Sequence, residues 1–145
     1  MYVVNEGNGI IGCTTPEHMK AHQIPLEQYL RQIVEEAHKF GDSIIDKYSY
    51  PNGNWFPCGT ADVVLRFNEH REIIKLFQKT ADRNDNDRFW RGWFGRLMKT
   101  SSQGWWWEPP MQSTQAMLFQ EAVCAFVRDK LIFRDIKVYV HTYID

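Results

Sequence analysis

Residues 88–99 read RFWRGWFGRLMK, and the balance of helix and strand in the whole chain turns on them. Advancing 100° per residue gathers Phe89, Trp90, Trp93, Phe94, Leu97 and Met98 on one half of a cylinder. Arg88, Arg91, Arg96 and Lys99 fall on the other half, together with Gly92 and Gly95. So complete a partition predicts an amphipathic helix over 88–99, its rings facing a core and its cations facing outward. The glycines sit badly with that reading, because each costs about 0.8–1 kcal/mol relative to Ala inside a helix. Two of them on the cationic face predict that a phosphate, a nucleic-acid strand or another subunit approaches the backbone closely.

Downstream, SSQG (101–104) releases the helix into WWW (105–107), a segment that Glu108, Pro109 and Pro110 bring to an end. Alternation makes WWW a strand, with Trp105 and Trp107 on one face and Trp106 on the other. In a small sheet at least one of these rings is expected to lie uncovered, as a stacking platform for a base or a protein hot spot. Burial under a helix is the competing reading. Upstream, Leu26, Tyr29, Leu30, Ile33, Val34, Ala37, Phe40, Ile44, Ile45 and Tyr48 recur at three–four spacing, predicting a long helix over 26–48 ended by YPNGN. TADVVLRF (60–67) alternates as a strand, and Asn68 is placed to cap a helix over 69–81 before the polar break DRNDND. Residues 112–131 read as a buried helix, and IKVYVHTYI (136–144) is the clearest strand, with Lys137, Tyr139, His141 and Tyr143 sharing its polar-aromatic face. The expected architecture is α+β: a three- to four-stranded sheet, the fourth strand from the N-terminus, with about four helices packed mainly on one face.

The chain's 145 residues suit one domain over 1–145, with residues 1–25 as an arm or short helix and 26–145 as the core. A formal charge of −1 excludes general electrostatic capture of nucleic acid, so any basic surface is local. Aromatics at 14% imply either a bulky core or rings that face a ligand or partner. Cys13, Cys58 and Cys124 form no disulfide framework, and the start MYVVNEGNG has no signal-peptide pattern, so a cytoplasmic location is expected. A Trp-bearing cationic helix also suits a membrane surface, but the core needs these rings, and no stretch reaches the length of a membrane span. No membrane association is expected.

Three segments, CGTADVVL (58–65), STQAMLFQEAVCAFVRDKL (113–131) and VYVHTYID (138–145), resemble small uncharacterised proteins of phages and plasmids. The resemblance rests on Cys58-Gly59-x-Ala61-x-Val63, on Ser113, Met117, Glu121-Ala122 and Ala125-Phe126, and on the ending Thr142-x-Ile144-Asp145. It spans about the last two-thirds of the chain and leaves out the 26–48 helix and the tryptophans. It implies an origin in a mobile element, hence a host cell's cytoplasm, and transfers no chemistry.

The candidate binding surface comprises Arg88, Arg91, Arg96, Lys99, Trp105, Trp106, Trp107, Arg66 and Tyr143. The favoured reading is a non-enzymatic accessory protein that uses this surface on a host protein, nucleic acid or nucleotide-like anion, with counter-defence as its role. The alternative is a small enzyme acting on a nucleotide or nucleic acid. His141 would be its acid–base residue, beside Tyr139 and Cys58, with Arg66 and Asp62 completing a pocket if the two strands are neighbours. A third reading makes the tryptophans an oligomer interface, and a homo-oligomer is expected. Cys13, His18 and His22 have metal-like spacing but lack a nearby fourth ligand, so no metal is expected. No phosphate-binding loop, GxSxG or GxGxxG is present, and no cofactor is expected.

Overall fold

Residues 88–99 form a β-hairpin, not a helix. Their two arms are Phe89–Gly92 and Gly95–Lys99, paired with Arg91 opposite Arg96 and Gly92 opposite Gly95. Trp93 and Phe94 make the turn, and Gly95 closes it at φ +96°, a left-handed geometry that other residues adopt only at a cost. A side chain there would also run into the carbonyl of Glu108 and the start of Pro110. The glycines that weaken a helix are the residues that permit the turn.

The computed structural model describes residues 2–5 and 11–14 by their backbone, and residues 24–48, 58–100 and 104–144 in full. Along the chain come β1 (Tyr2–Asn5), β2 (Ile11–Thr14), α1 (Leu26–Ile44) with a 3₁₀ turn at Ile45–Tyr48, and β3 (Gly59–Leu65). They are followed by α2 (Arg71–Thr80), β4 (Arg83–Asp85), β5 (Phe89–Gly92), β6 (Gly95–Lys99), β7 (Trp105–Glu108), α3 (Met117–Ile132) and β8 (Tyr139–Ile144). Among the described residues β1 and β2 pair only with each other, and the other six strands form one antiparallel sheet in the order β4-β5-β6-β7-β3-β8.

The fold is therefore α+β, but the described residues hold six strands in one sheet and three α-helices, against the expected three to four strands and about four helices. One reassignment accounts for most of the difference. The 88–99 helix becomes β5 and β6, and the polar break DRNDND becomes β4 and a turn. Asn86 and Asp87 carry that turn at φ 51° and 61°, where their short polar side chains are tolerated. Asn84 braces it, its side chain accepting from the Asp87 amide and donating to the Asp87 carboxylate.

The helices begin and end differently from the periodicity. α1 tightens into 3₁₀ geometry after Ile44. α2 starts at Arg71, and Asn68 lies outside it in a turn. α3 starts at Met117, because Pro109–Gln115 has no regular secondary structure and its end is tied to the sheet, where Gly59 donates to the Gln115 carbonyl at 3.0 Å and Cys58 bridges Ala116.

All three helices lie on one face of the sheet. Leu30, Ile33 and Ala37 of α1, Ile73, Ile74 and Phe77 of α2, and Phe119, Val123 and Val127 of α3 share one core with Ala61, Val63, Leu65, Leu97, Trp105 and Trp107. The hairpin turn folds onto α2: Phe94 stacks on Phe77 with centroids 4.4 Å apart, and Trp93 meets Phe77 edge-on and donates to the Thr80 hydroxyl at 2.9 Å. Trp107 is fully buried and donates from Nε1 to the Phe94 carbonyl at 2.6 Å. Gln120 ties α3 to the sheet, accepting from the Ala61 amide and donating to the Gly59 and Thr114 carbonyls. No helix among the described residues is long and apolar enough to cross a membrane.

Candidate functional site

The opposite face of the six-stranded sheet carries no described helix. Its side chains come from alternate residues of each strand, so the pairing registers place them in transverse rows. One row runs Arg83–Arg91–Arg96–Glu108, fixed by three successive pairings. It continues to Asp62, one residue beyond the Val63–Trp107 pair, and then to His141. Six ionisable residues thus cross all six strands in a line: three arginines, two acids and a histidine. The next row runs Asp85–Phe89–Met98–Trp106–Val64–Tyr139 and is mostly apolar. Thr60 and Tyr143 begin a third.

The arginines are matched by acids. Arg83 and Arg91 flank Asp85 at 2.7 and 3.3 Å, and Arg96 contacts Glu108 at 2.6 Å while lying over the Phe89 ring. Arg66 lies over Tyr139 at 5.0 Å and reaches Glu69 at 3.6 Å. Such a face presents alternating charge rather than a continuous positive track.

At its centre, Trp106 and His141 stack with ring centroids 4.6 Å apart and planes inclined by 22°. They stand on β7 and β8, whose backbones lie about 9.5 Å apart across β3. The two side chains therefore lean toward each other over β3 and roof the residues beneath. This explains why Asp62 and Val64, on a face without a described helix, are only 4% and 8% exposed. Tyr143 lies beside both rings, 6.3 and 6.0 Å from them. Trp106 Nε1 and His141 Nδ1 are buried and make no hydrogen bond among the described residues. Burial pushes the Asp62 carboxyl up to about 6; Glu108 adds to the rise and Arg96 opposes it.

The structure divides the sequence-derived candidates. Arg91, Arg96, Trp106, Arg66, Tyr139, His141 and Tyr143 share the open face, and Asp62 joins them by facing His141. Trp105 and Trp107 belong to the core at 5% and 0% exposure. Lys99 lies opposite Trp105 and so on the helix-bearing side, and Arg88 sits in the 86–88 turn. Cys58 is exposed, four strand residues from Asp62 and so about 13 Å from the His141 pairing. Cys13 lies on a strand described by backbone alone, and His18 and His22 lie outside the described residues. Among the described residues no cluster of His, Cys, Asp and Glu could hold a metal. His70 is structural: Arg66 N–H donates to its Nδ1 at 2.8 Å, leaving Nε2 to donate to the Lys137 carbonyl at 2.8 Å.

Sequence reasoning missed Arg83, Asp85, Phe89, Met98 and Glu108 as members of this face. The signal available was two-residue alternation on either side of GWFG, which the helical reading passed over. Two clefts border the face. One of about 640 Å³ is lined by Arg66, Phe67, Gly104, Tyr139 and His141 among others. The other, of about 540 Å³, includes Thr60, Arg91, Arg96, Glu108 and Thr114. No protein-family model matches the chain, and neither a curated protein nor a solved structure matches it.

Proposed function

We propose that this chain is a non-enzymatic accessory protein of a phage or other mobile element, and that it binds a host protein with the open face of its sheet. The observation that carries the reading is the mixed composition of that face. Arg, Trp and Tyr are the residues that dominate binding energy at protein interfaces, and here they surround a central aromatic pair. A phosphate backbone would instead meet Asp85 and Glu108 alongside the arginines, and counterion release favours an unopposed cationic track. Six strands at about 4.8 Å spacing make the face roughly 25 Å wide, the scale of one side of a protein interface. The partner that fits is a surface with acidic groups opposite Arg83 and Arg91, hydrogen-bonding groups opposite the exposed Tyr139 and Tyr143, and an apolar group opposite the Trp106 ring. Counter-defence, by occupying a host protein, follows from the suggested mobile-element origin.

A second reading rests on Asp62 and His141. A carboxyl raised to about 6 on the residue paired with His141, whose buried Nδ1 makes no hydrogen bond among the described residues, is the equipment of general acid–base catalysis, on a nucleotide for instance.

The test is affinity purification from the host, comparing the natural chain with Arg91→Glu, Trp106→Ala and the helix-side control Lys79→Glu. The expected result is a stoichiometric host protein held by the natural chain and by K79E, and lost with R91E and W106A. Salt-sensitive quenching of tryptophan emission by single-stranded oligonucleotides, abolished by R91E, would instead make the ligand nucleic acid. Turnover of nucleoside phosphates lost in both Asp62→Asn and His141→Asn would support the enzymatic reading.

A further inference from the structure

The two edges of the sheet are unlike. β4 is three residues long, with Arg83 exposed and Asp85 half-exposed, the charged short edge that discourages strand pairing. β8 is six residues long, reads YVHTYI, and contains neither proline nor a residue of fixed charge. Among the described residues nothing pairs with its outer side. Five of the seven exposed large apolar side chains among the described residues, Leu118, Ile132, Tyr139, Tyr143 and Ile144, belong to β8 or to the helix packed beneath it.

α3 runs antiparallel to β8. Gly59, which faces Ile144, hydrogen-bonds Gln115 just before α3, and Ile136, just before β8, hydrogen-bonds Leu131 near the end of α3. α1 packs on the other flank of α3, through Phe40 on Phe126 and Tyr29 on the Lys130 carbonyl, and reaches toward the β5–β6 turn, where Arg31 covers Trp93. At 100° per residue, Leu118, Glu121, Ala125, Arg128 and Ile132 fall within one 80° stripe of α3, on the flank away from α1 and so beside the β8 edge.

We infer that this edge is a two-fold interface, at which β8 of one copy pairs antiparallel with β8 of a second and extends the sheet to twelve strands. The stripe on α3 is self-complementary under that operation. A two-fold axis beside Ala125 brings Leu118 opposite the second copy's Ile132, and Glu121 opposite its Arg128, with the smallest side chain at the axis. Taking Ile144 as level with Gln115 and Ile136 as level with Leu131, Ala125 lies level with about Tyr139, so an axis there pairs the two strands through Tyr139 and the start of β8. Among the described residues, the only ion pair Arg128 makes is with its chain neighbour Asp129, a surface contact that can exchange. A six-residue edge is about 20 Å long, and with the helix layer gives roughly 400 Å² of flat footprint per copy, about half that of a standard stable interface and in the range of weak, transient ones. The dimer is therefore expected to be reversible with concentration. It does not depend on what the open face binds.

Sedimentation equilibrium of the full chain between about 1 and 300 µM tests this, with circular dichroism confirming each variant's fold. The expected result is a monomer–dimer equilibrium. Glu121→Arg alone and Arg128→Glu alone should each weaken self-association at least tenfold, and the double exchange should restore it to within about threefold. Both positions are on the surface, so the variants should fold. Ile132→Lys, at an exposed residue, should also give monomer. A monomer across the whole range, a dimer insensitive to these exchanges, or open-ended association would each overturn the inference.

Discussion

Asp62 gives the sharpest test of how the open face is built. It lies under the Trp106–His141 roof at 4% exposure, has no hydrogen bond from its side chain among the described residues, and its carboxyl is pushed up from 3.8 to about 6. Because the folded value exceeds the unfolded one, the folded protein holds this proton more tightly. The group therefore costs nothing below about pH 4, and its charged form costs progressively more stability as pH rises to about 6. A shift of about two units corresponds to about 3 kcal/mol above that window. Asp62→Asn keeps the shape and removes the titration. It should raise stability by up to about 3 kcal/mol at pH 7.5, or roughly 6–12 °C in melting temperature for a chain of this size. Urea unfolding followed by circular dichroism at pH 7.5 and at pH 4 reads the difference, which should shrink to near zero in the acid series. A variant less stable than the natural chain at pH 7.5 would refute the argument, since it would mean that Asp62 is held as a carboxylate by a paired cation. A gain of equal size at both pH values would refute it too, because no proton would be involved.

The hairpin makes an opposite-sign prediction. In a helix both Gly92→Ala and Gly95→Ala would stabilise by nearly 1 kcal/mol each; in the hairpin Gly95→Ala must hold alanine at φ +96° against the Glu108 carbonyl and should cost at least about 1–2 kcal/mol by thermal melting. Trp107→Phe removes the donor to the Phe94 carbonyl inside the core and should lose about 1–3 kcal/mol by urea titration. Burial drives the Cys124 thiol far above the ordinary thiol range, so mass-mapped alkylation at pH 8 should modify exposed Cys58 in the native protein and Cys124 only after denaturation.

How much of the fold could be read from the chain depended on how long each periodic pattern ran. α1 repeats its apolar positions over five turns and β8 alternates over six residues, so each declares its type without help from tertiary structure. β5 and β6 are four and five residues long, and their aromatic residues recur at spacings that satisfy both periods. Phe89, Trp90, Trp93 and Phe94 make a helical stripe on paper. In the fold Phe89 lies on the open face, Trp90 on the helix-bearing one, and the other two form the turn. When a window satisfies two periods, propensity has to arbitrate, and here it spoke through Gly92 and Gly95 flanking a two-residue turn. Giving their helical cost to a ligand's approach rather than to a hairpin lost two strands, and with them the register that aligns the charged row.

The consequence for the site is larger than for the fold class. Arg91 and Arg96 point outward in either reading, yet only the strand pairing sets them in line with Glu108, Asp62 and His141, residues contributed from across some 80 positions of sequence. On a helix these cations would have been a solvated stripe available to any anion. Across a sheet, each stands beside an acid on a neighbouring strand, and the same residues become a surface of alternating charge. The tryptophans follow the same logic. Alternation in WWW commits Trp105 and Trp107 to the core and leaves Trp106 alone to roof Asp62 with His141. Burial under that roof raises the Asp62 carboxyl to about 6, so its charged form lowers stability near neutral pH, and the same stacked pair sets the shape of the open face above it.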